Sequence, residues 1–275
     1  MLKKLLKYDL KSVFKYWWIA AVISFALSLF GGSCIALMAS EKELPIAVYT
    51  IATIVLILVI LSFGAFSILS LILVFMRFYK NFFTDEGYLT FTLPVKRSQL
   101  LNSKLIASSA LTLATGVMCI VNVLAMLAIG LANKIFTESF WHDVSDLFHI
   151  LVDELGFYFV VYILECLILI ILSIVFSILF LFCCITFASI ITKKAKVITA
   201  IGIYYGANSV FSFVIQMFYL FGVASLSNWL TTLPAGKEYS VVALILLGIV
   251  FLVAMFCTLL YTLQYWMIDR KLNLN

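Results

Sequence analysis

Few side chains in this sequence are of a type and spacing that could do chemistry. His142, Asp146, His149 and Asp153 follow one another at steps of four, three and four, which on a helix stacks them along one face. Imidazole and carboxylate ligands one turn apart can hold a transition-metal ion. A solvated polar face has the same pattern, and no further element supplies ligands, so no metal is expected. Glu165 is an acid inside a long apolar run, where a carboxylate points to ion coupling, to a substrate path, or to a hydrogen bond with a neighbouring helix. Tyr205, Asn208 and Gln216 belong to the most polar of the apolar runs, "GIYYGANSVFSFVIQ", and are candidates for lining such a path. In the same run Gly202 and Gly206 form a small-xxx-small pair that would let another helix approach closely. There is no His-Glu-x-x-His, no pair of intramembrane aspartates and no Gly-x-x-x-x-Gly-Lys-Ser/Thr phosphate cradle. The chain is therefore expected to be neither an enzyme nor an ATP binder on its own.

The elements that must position these residues are set by composition. With 65% hydrophobic and 11% charged residues and a mean hydropathy of +1.20, the 275-residue chain reads as an integral membrane protein. Crossing about 30 Å of hydrocarbon takes roughly 20 apolar residues as a helix, with every backbone polar group bonded inside the segment. Six runs meet this, at residues 17–38, 50–76, 105–131, 157–191, 197–223 and 241–267. Barrel strands would alternate in polarity over about ten residues, and nothing here alternates. The expected fold is an all-α membrane protein, a six-span transmembrane helical bundle in one transmembrane domain over residues 1–275. The fourth run is long enough that it must tilt, break or protrude.

Orientation follows from Lys and Arg. Placing the N-terminus in the cytoplasm puts 15 of the 18 basic residues on that side, leaving Lys42, Lys134 and Lys237 outside with most of the acids. Both termini are expected inside a plasma membrane. The basic residues are spread over four juxtamembrane stretches, so the +5 net charge suits a lipid bilayer and not a nucleic acid. All six cysteines fall within the apolar runs and imply no disulfide framework. The pair Gly31 and Gly32 in "GGSC" reads as a close-packing site in the first span.

Two amphipathic segments flank the spans. Residues 1–16 place Leu2, Leu5, Leu6, Leu10 and Val13 on one arc and Lys4, Lys7, Lys11 and Lys15 on the other, the pattern of an interfacial helix. Trp17 and Trp18 would then mark where the chain enters the bilayer, as Tyr265 and Trp266 mark its exit. Residues 132–156 form an outer segment in which Phe140, Val144, Leu147, Phe148, Leu151 and Leu155 recur at helical spacing, with Gly156 ending or bending that helix.

The loop between the second and third spans covers residues 77–104, and its stretch from Thr84 to Lys104, "TDEGYLTFTLPVKRSQLLNSK", is charged and Pro-stopped yet still carries Leu89, Phe91 and Leu93. Apolar side chains between polar clusters want a pocket. Ser98 would cap the helix that follows. Acid-Gly-Tyr-Leu, then Leu-Pro-x-x-Arg, then Leu-x-x-Ser-Lys resembles the first intracellular loop of ABC-2-type transporter permeases, especially the small six-span permeases of Gram-positive bacteria. The resemblance covers about twenty residues, and the six-span layout matches the family over the whole chain. It implies a permease domain whose loop carries a coupling helix docking on a separate ATP-binding subunit, through Asp85, Glu86, Gly87, Tyr88, Leu93, Pro94 and Arg97. It further implies ATP and Mg2+ held by that partner, a second permease subunit, and export of an apolar or amphipathic substrate from a bacterial cell. The outer helix departs from the family pattern, in which a re-entrant outer element more often lies between the last two spans. A secondary transporter with Glu165 as the coupling group, or a membrane immunity or scaffold protein, are the alternatives.

Overall fold

The computed structural model describes residues 2–40, 45–84, 97–132, 138–192, 195–230, 232, 234 and 237–270. Among them it is all-helical: α1 (Leu2–Met38), α2 (Ile46–Phe83), α3 (Arg97–Gly130), α4 (Glu138–Leu155), α5 (Phe157–Ile191), α6 (Lys196–Leu230) and α7 (Lys237–Arg270). All but α4 are long and apolar enough to cross a membrane. In hydrocarbon the backbone can bond only to itself, and uninterrupted Leu, Ile, Val and Phe leave the helix as the way to do so.

The fourth span proves unexceptional. Its 35 residues run unbroken from Phe157 to Ile191, and the other five spanning helices have 34 to 38. At 1.5 Å per residue each is about 50 Å or longer, so every one must tilt or extend beyond the hydrocarbon. Residues 2–16 are likewise not a separate element, because α1 passes straight through them into the first span. Arg97 already opens α3, so Ser98 lies inside its first turn and not at a cap. The amphipathic segment between the third and fourth spans is a helix, α4, and Gly156 divides it from α5 with φ +53°, backbone that suits glycine. The Gly156 N–H closes α4 on the Val152 carbonyl at 2.8 Å.

The chain forms two compact units. One comprises Met1–Phe78 with Asn102–Ile150, the other Tyr79–Leu101 with Leu151–Asn275. In the first, α1 buries Asp9, Val13, Trp17, Ala21, Ser24 and Ser28 at steps of four and three, a continuous stripe. Trp17 lies in this core, donating from Nε1 to Thr115 Oγ1 at 2.9 Å, while Trp18 is exposed. Thr115 lies 3.0 Å from Ser70, and Asn122 Nδ2 donates to Ser24 at 3.1 Å, so polar contacts tie α3 to α1 and α2. The Gly31–Gly32 pair packs as expected. A Cβ on Gly32 would meet the Met126 carbonyl and Ile129 at 2.8 Å, and one on Gly130 would meet Ile35 at 2.6 Å. Close backbone approach through small residues is how membrane helices pack without a hydrophobic drive between them.

In the second unit α5 packs against α7 and α6. Its C-terminal half is buried from Ile178 to Ala188 with few breaks. Gln264 of α7 donates to Thr186 at 2.7 Å, and the Cys183 and Cys257 thiols reach backbone carbonyls across the α5–α7 seam. The α5–α6 contact is aromatic, with Phe176 against Phe211 and Phe180 against Tyr204 at centroid separations of 5.7 and 6.0 Å. All six cysteines are free thiols.

Candidate functional site

Of the candidate residues, Glu165 has the most specific setting. It lies two turns into α5 and is 7% exposed, with Oε2 buried and without a hydrogen-bond partner. Tyr158, Tyr162 and Glu165 follow at steps of four and three and so share one face of α5. Across from them stands Tyr239, near the start of α7. The Tyr162 hydroxyl donates to the Tyr239 carbonyl at 2.8 Å, and the Tyr158 ring lies 6.4 Å from Tyr162 and 6.3 Å from Tyr239. The three tyrosines are only half-buried, and the Glu165 carboxylate is within electrostatic reach of the Tyr162 hydroxyl. A carboxylate removed from water needs a positive partner or several donors to offset its desolvation. Among the described residues no Lys, Arg or His forms an ion pair with this one.

Tyr205, Asn208 and Gln216 do not join it. All three are exposed on α6, Tyr205 in an edge contact with Tyr204 at 5.7 Å. The close approach expected of Gly202 and Gly206 does not occur among the described residues either, since a Cβ at either position would meet none of them within 4 Å. The physical reason is the aromatic seam: Phe211 and Tyr204 give α6 its contact with α5, leaving the glycine face without a neighbour among the described residues.

Asp85, Glu86, Gly87, Tyr88, Leu93 and Pro94 lie outside the described residues. Arg97 lies within them and is engaged, with Nη1 at 2.6 Å from the Asp269 carboxylate and 2.9 Å from the Asp269 carbonyl, both side chains about half exposed. The loop's downstream arginine thus ties the start of α3 to the end of α7. Asp269 was passed over in the sequence because it sits beside Arg270 and Lys271 in a stretch that reads as uniformly basic.

A second missed residue is Asp9. It is 2% exposed and is held by Lys104 Nζ, by Arg77 Nη2 at 3.2 Å and by Ser103 Oγ at 3.4 Å, which joins α1, α2 and α3. Two cations share one carboxylate. Lys104 counts as a juxtamembrane charge in the sequence, yet it is 5% exposed. Buried charges of this kind hold only because each is matched.

On α4, His142 Nδ1 and Asp146 lie 3.0 Å apart, both well exposed, and His149 and Asp153 are exposed further along. Among the described residues no three His, Cys, Asp or Glu side chains come close enough together to hold a metal ion.

No family model, curated protein or solved structure matches this chain. The chain is a multi-pass helical membrane protein in which, among the described residues, each unit buries one acid: Asp9, held by Lys104 and Arg77, and Glu165, whose Oε2 has no hydrogen-bond partner.

Proposed function

We propose that this chain is the transmembrane subunit of an ATP-driven transporter of the ABC-2 type, exporting an apolar or amphipathic substrate from a bacterial cell. The carrying observation is the segment from Thr84 to Lys104, which sets Asp85, Glu86, Gly87 and Pro94 between two spanning helices and Arg97 at the start of the second, in the pattern of a coupling loop. Two features support the reading. α2 and α3 are both long enough to carry motion from beyond the hydrocarbon into it, and the ion cluster at Asp9 fastens them to α1 near that end. ATP and Mg2+ would be held by a separate cytoplasmic ATPase, whose closure shifts the transmembrane helices between alternative arrangements.

The test is purification of the tagged chain from its native membrane with identification of what stays bound. A stoichiometric ATPase that is lost on Glu86→Ala supports the proposal; absence of any ATPase, or its unchanged retention after that exchange, sinks it. Glu86 is the cleaner probe because Arg97 also holds Asp269. The unpartnered oxygen of Glu165 favours a second reading, an ion-coupled secondary transporter. Transport that persists without ATP and collapses with an ionophore would select it.

A further inference from the structure

Glu165 is the one buried charged side chain of the second unit among the described residues, and its Oε2 has nothing bound to it. The rings beside it are not sealed off: Tyr158, Tyr162 and Tyr239 all keep part of their surface free. We propose that this end of the α5–α7 pair binds the ammonium group of an amphiphile, with the cation on the tyrosine faces and the carboxylate behind them as its countercharge. The inference rests on the transport reading and names the substrate class that the site would take.

Three features argue for an organic cation over the alternatives. A hard inorganic ion wants a shell of several oxygens, whereas this cluster offers one acid and three rings. The Tyr162 proton is already given to the Tyr239 carbonyl, so that hydroxyl does not supply the donor the carboxylate lacks. Aromatic faces carry negative quadrupole and attract an alkylammonium within about 6 Å of a ring centroid, most strongly where water is excluded. The Tyr158 ring lies against both others, tilted 35° and 31° to them, so the three form one aromatic cluster on the side of α5 that carries Glu165. The buried polar groups elsewhere in this unit differ in kind. Gln264 also leaves an oxygen unbonded, but it is neutral and its amide is anchored on Thr186.

The experiment uses the full chain in a nonionic maltoside micelle and a dansyl-labelled alkyltrimethylammonium as the probe, with the equally long dansyl alcohol as its uncharged control. Glu165→Gln, which keeps shape and removes charge, is expected to weaken binding of the ammonium probe about tenfold or more, and Tyr158→Leu severalfold, while the alcohol binds both variants as it binds the parent. Equal affinity of parent and Glu165→Gln for the ammonium probe overturns the proposal, as does an equal loss for the alcohol. Should Glu165→Gln not elute as a folded species, Tyr158→Leu and Tyr239→Leu carry the same comparison. Competition by a short-chain phosphatidylethanolamine, but not by the matching phosphatidylglycerol, assigns the ammonium to a lipid headgroup; no competition by either assigns it to a non-lipid amphiphile. No ATPase is present, so failure here leaves the coupling-loop assignment standing, and loss of that assignment leaves the binding result standing.

Discussion

The two units solve the same problem, helices packed in lipid, in opposite ways. In the first, α1, α2 and α3 are joined by polar contacts, Trp17 to Thr115, Thr115 to Ser70, Asn122 to Ser24, and Asp9 to both Lys104 and Arg77, with Asn122 Oδ1 and Arg77 Nε left over. Gly32 and Gly130 bring backbones together so closely that no Cβ fits. In the second, α5 and α7 are well packed toward one end, but at the other Glu165 has no countercharge among the described residues, and α6 shows Asn208, Ser209, Ser212 and Gln216 on an exposed surface. Intramembrane polar groups are costly without a partner. The first unit therefore reads as the scaffold, its buried acid matched by two cations, and the second as the unit whose buried acid has no such match among the described residues.

The largest effect expected from this contrast is at Asp9. Asp9→Ala removes the carboxylate that Lys104 and Arg77 share and should destabilise the protein by about 3–5 kcal/mol, the usual cost of breaking a buried ion pair from one side. Thermal unfolding in mild detergent measures it, and Asp9→Ala combined with Lys104→Met should recover most of the loss. A shift under about 1 kcal/mol would mean that the first unit does not depend on this cluster. Next is Gly32→Ala, whose added methyl must displace the Met126 carbonyl or Ile129 and should cost about 1–3 kcal/mol. Smaller again is Trp17→Phe, which keeps the ring against Phe66 but gives up the bond to Thr115, worth about 1 kcal/mol or less between membrane helices. Were Trp17→Phe to equal Asp9→Ala, the polar contacts and not the ions would be what holds the unit together.

What the sequence disclosed and what it hid divide along similar lines. The helices, the Gly31–Gly32 contact and the break at Gly156 follow from local pattern: apolar length, adjacent small residues, and a glycine after an amphipathic turn. Asp9 escaped because acids near a basic N-terminus are counted as interfacial. Its signal was there, since at helical spacing it falls in the middle of the arc formed by Leu2, Leu5, Leu6 and Val13. Trp17 and Trp18 are alike as types, and only a threonine 98 residues away decides which turns inward. Gly202 and Gly206 carry the motif for close approach, but a motif states that a neighbour can come near and not which chain provides it. Glu165 was visible as an isolated acid; its tyrosine surroundings were not, because Tyr239 arrives from α7.

The smallest effect sharpens the comparison most. Gly32 and Gly202 are both glycines within spanning helices, and Ala is the better helix former at each by up to about 1 kcal/mol. At Gly32 that gain is overwhelmed by the backbone a methyl would strike. At Gly202 and Gly206 nothing stands within 4 Å, so Gly202→Ala and Gly206→Ala should leave the isolated chain unchanged or raise its unfolding temperature slightly. Measured side by side in detergent, Gly32→Ala should thus lower the unfolding temperature while Gly202→Ala and Gly206→Ala do not. A loss at Gly202→Ala as large as that at Gly32→Ala would show a neighbour against α6 within the chain and erase the contrast between the units. A loss confined to the native membrane, with none in detergent, would place that neighbour in another protein, where a bare glycine face and the exposed Asn208 and Gln216 would find their partners.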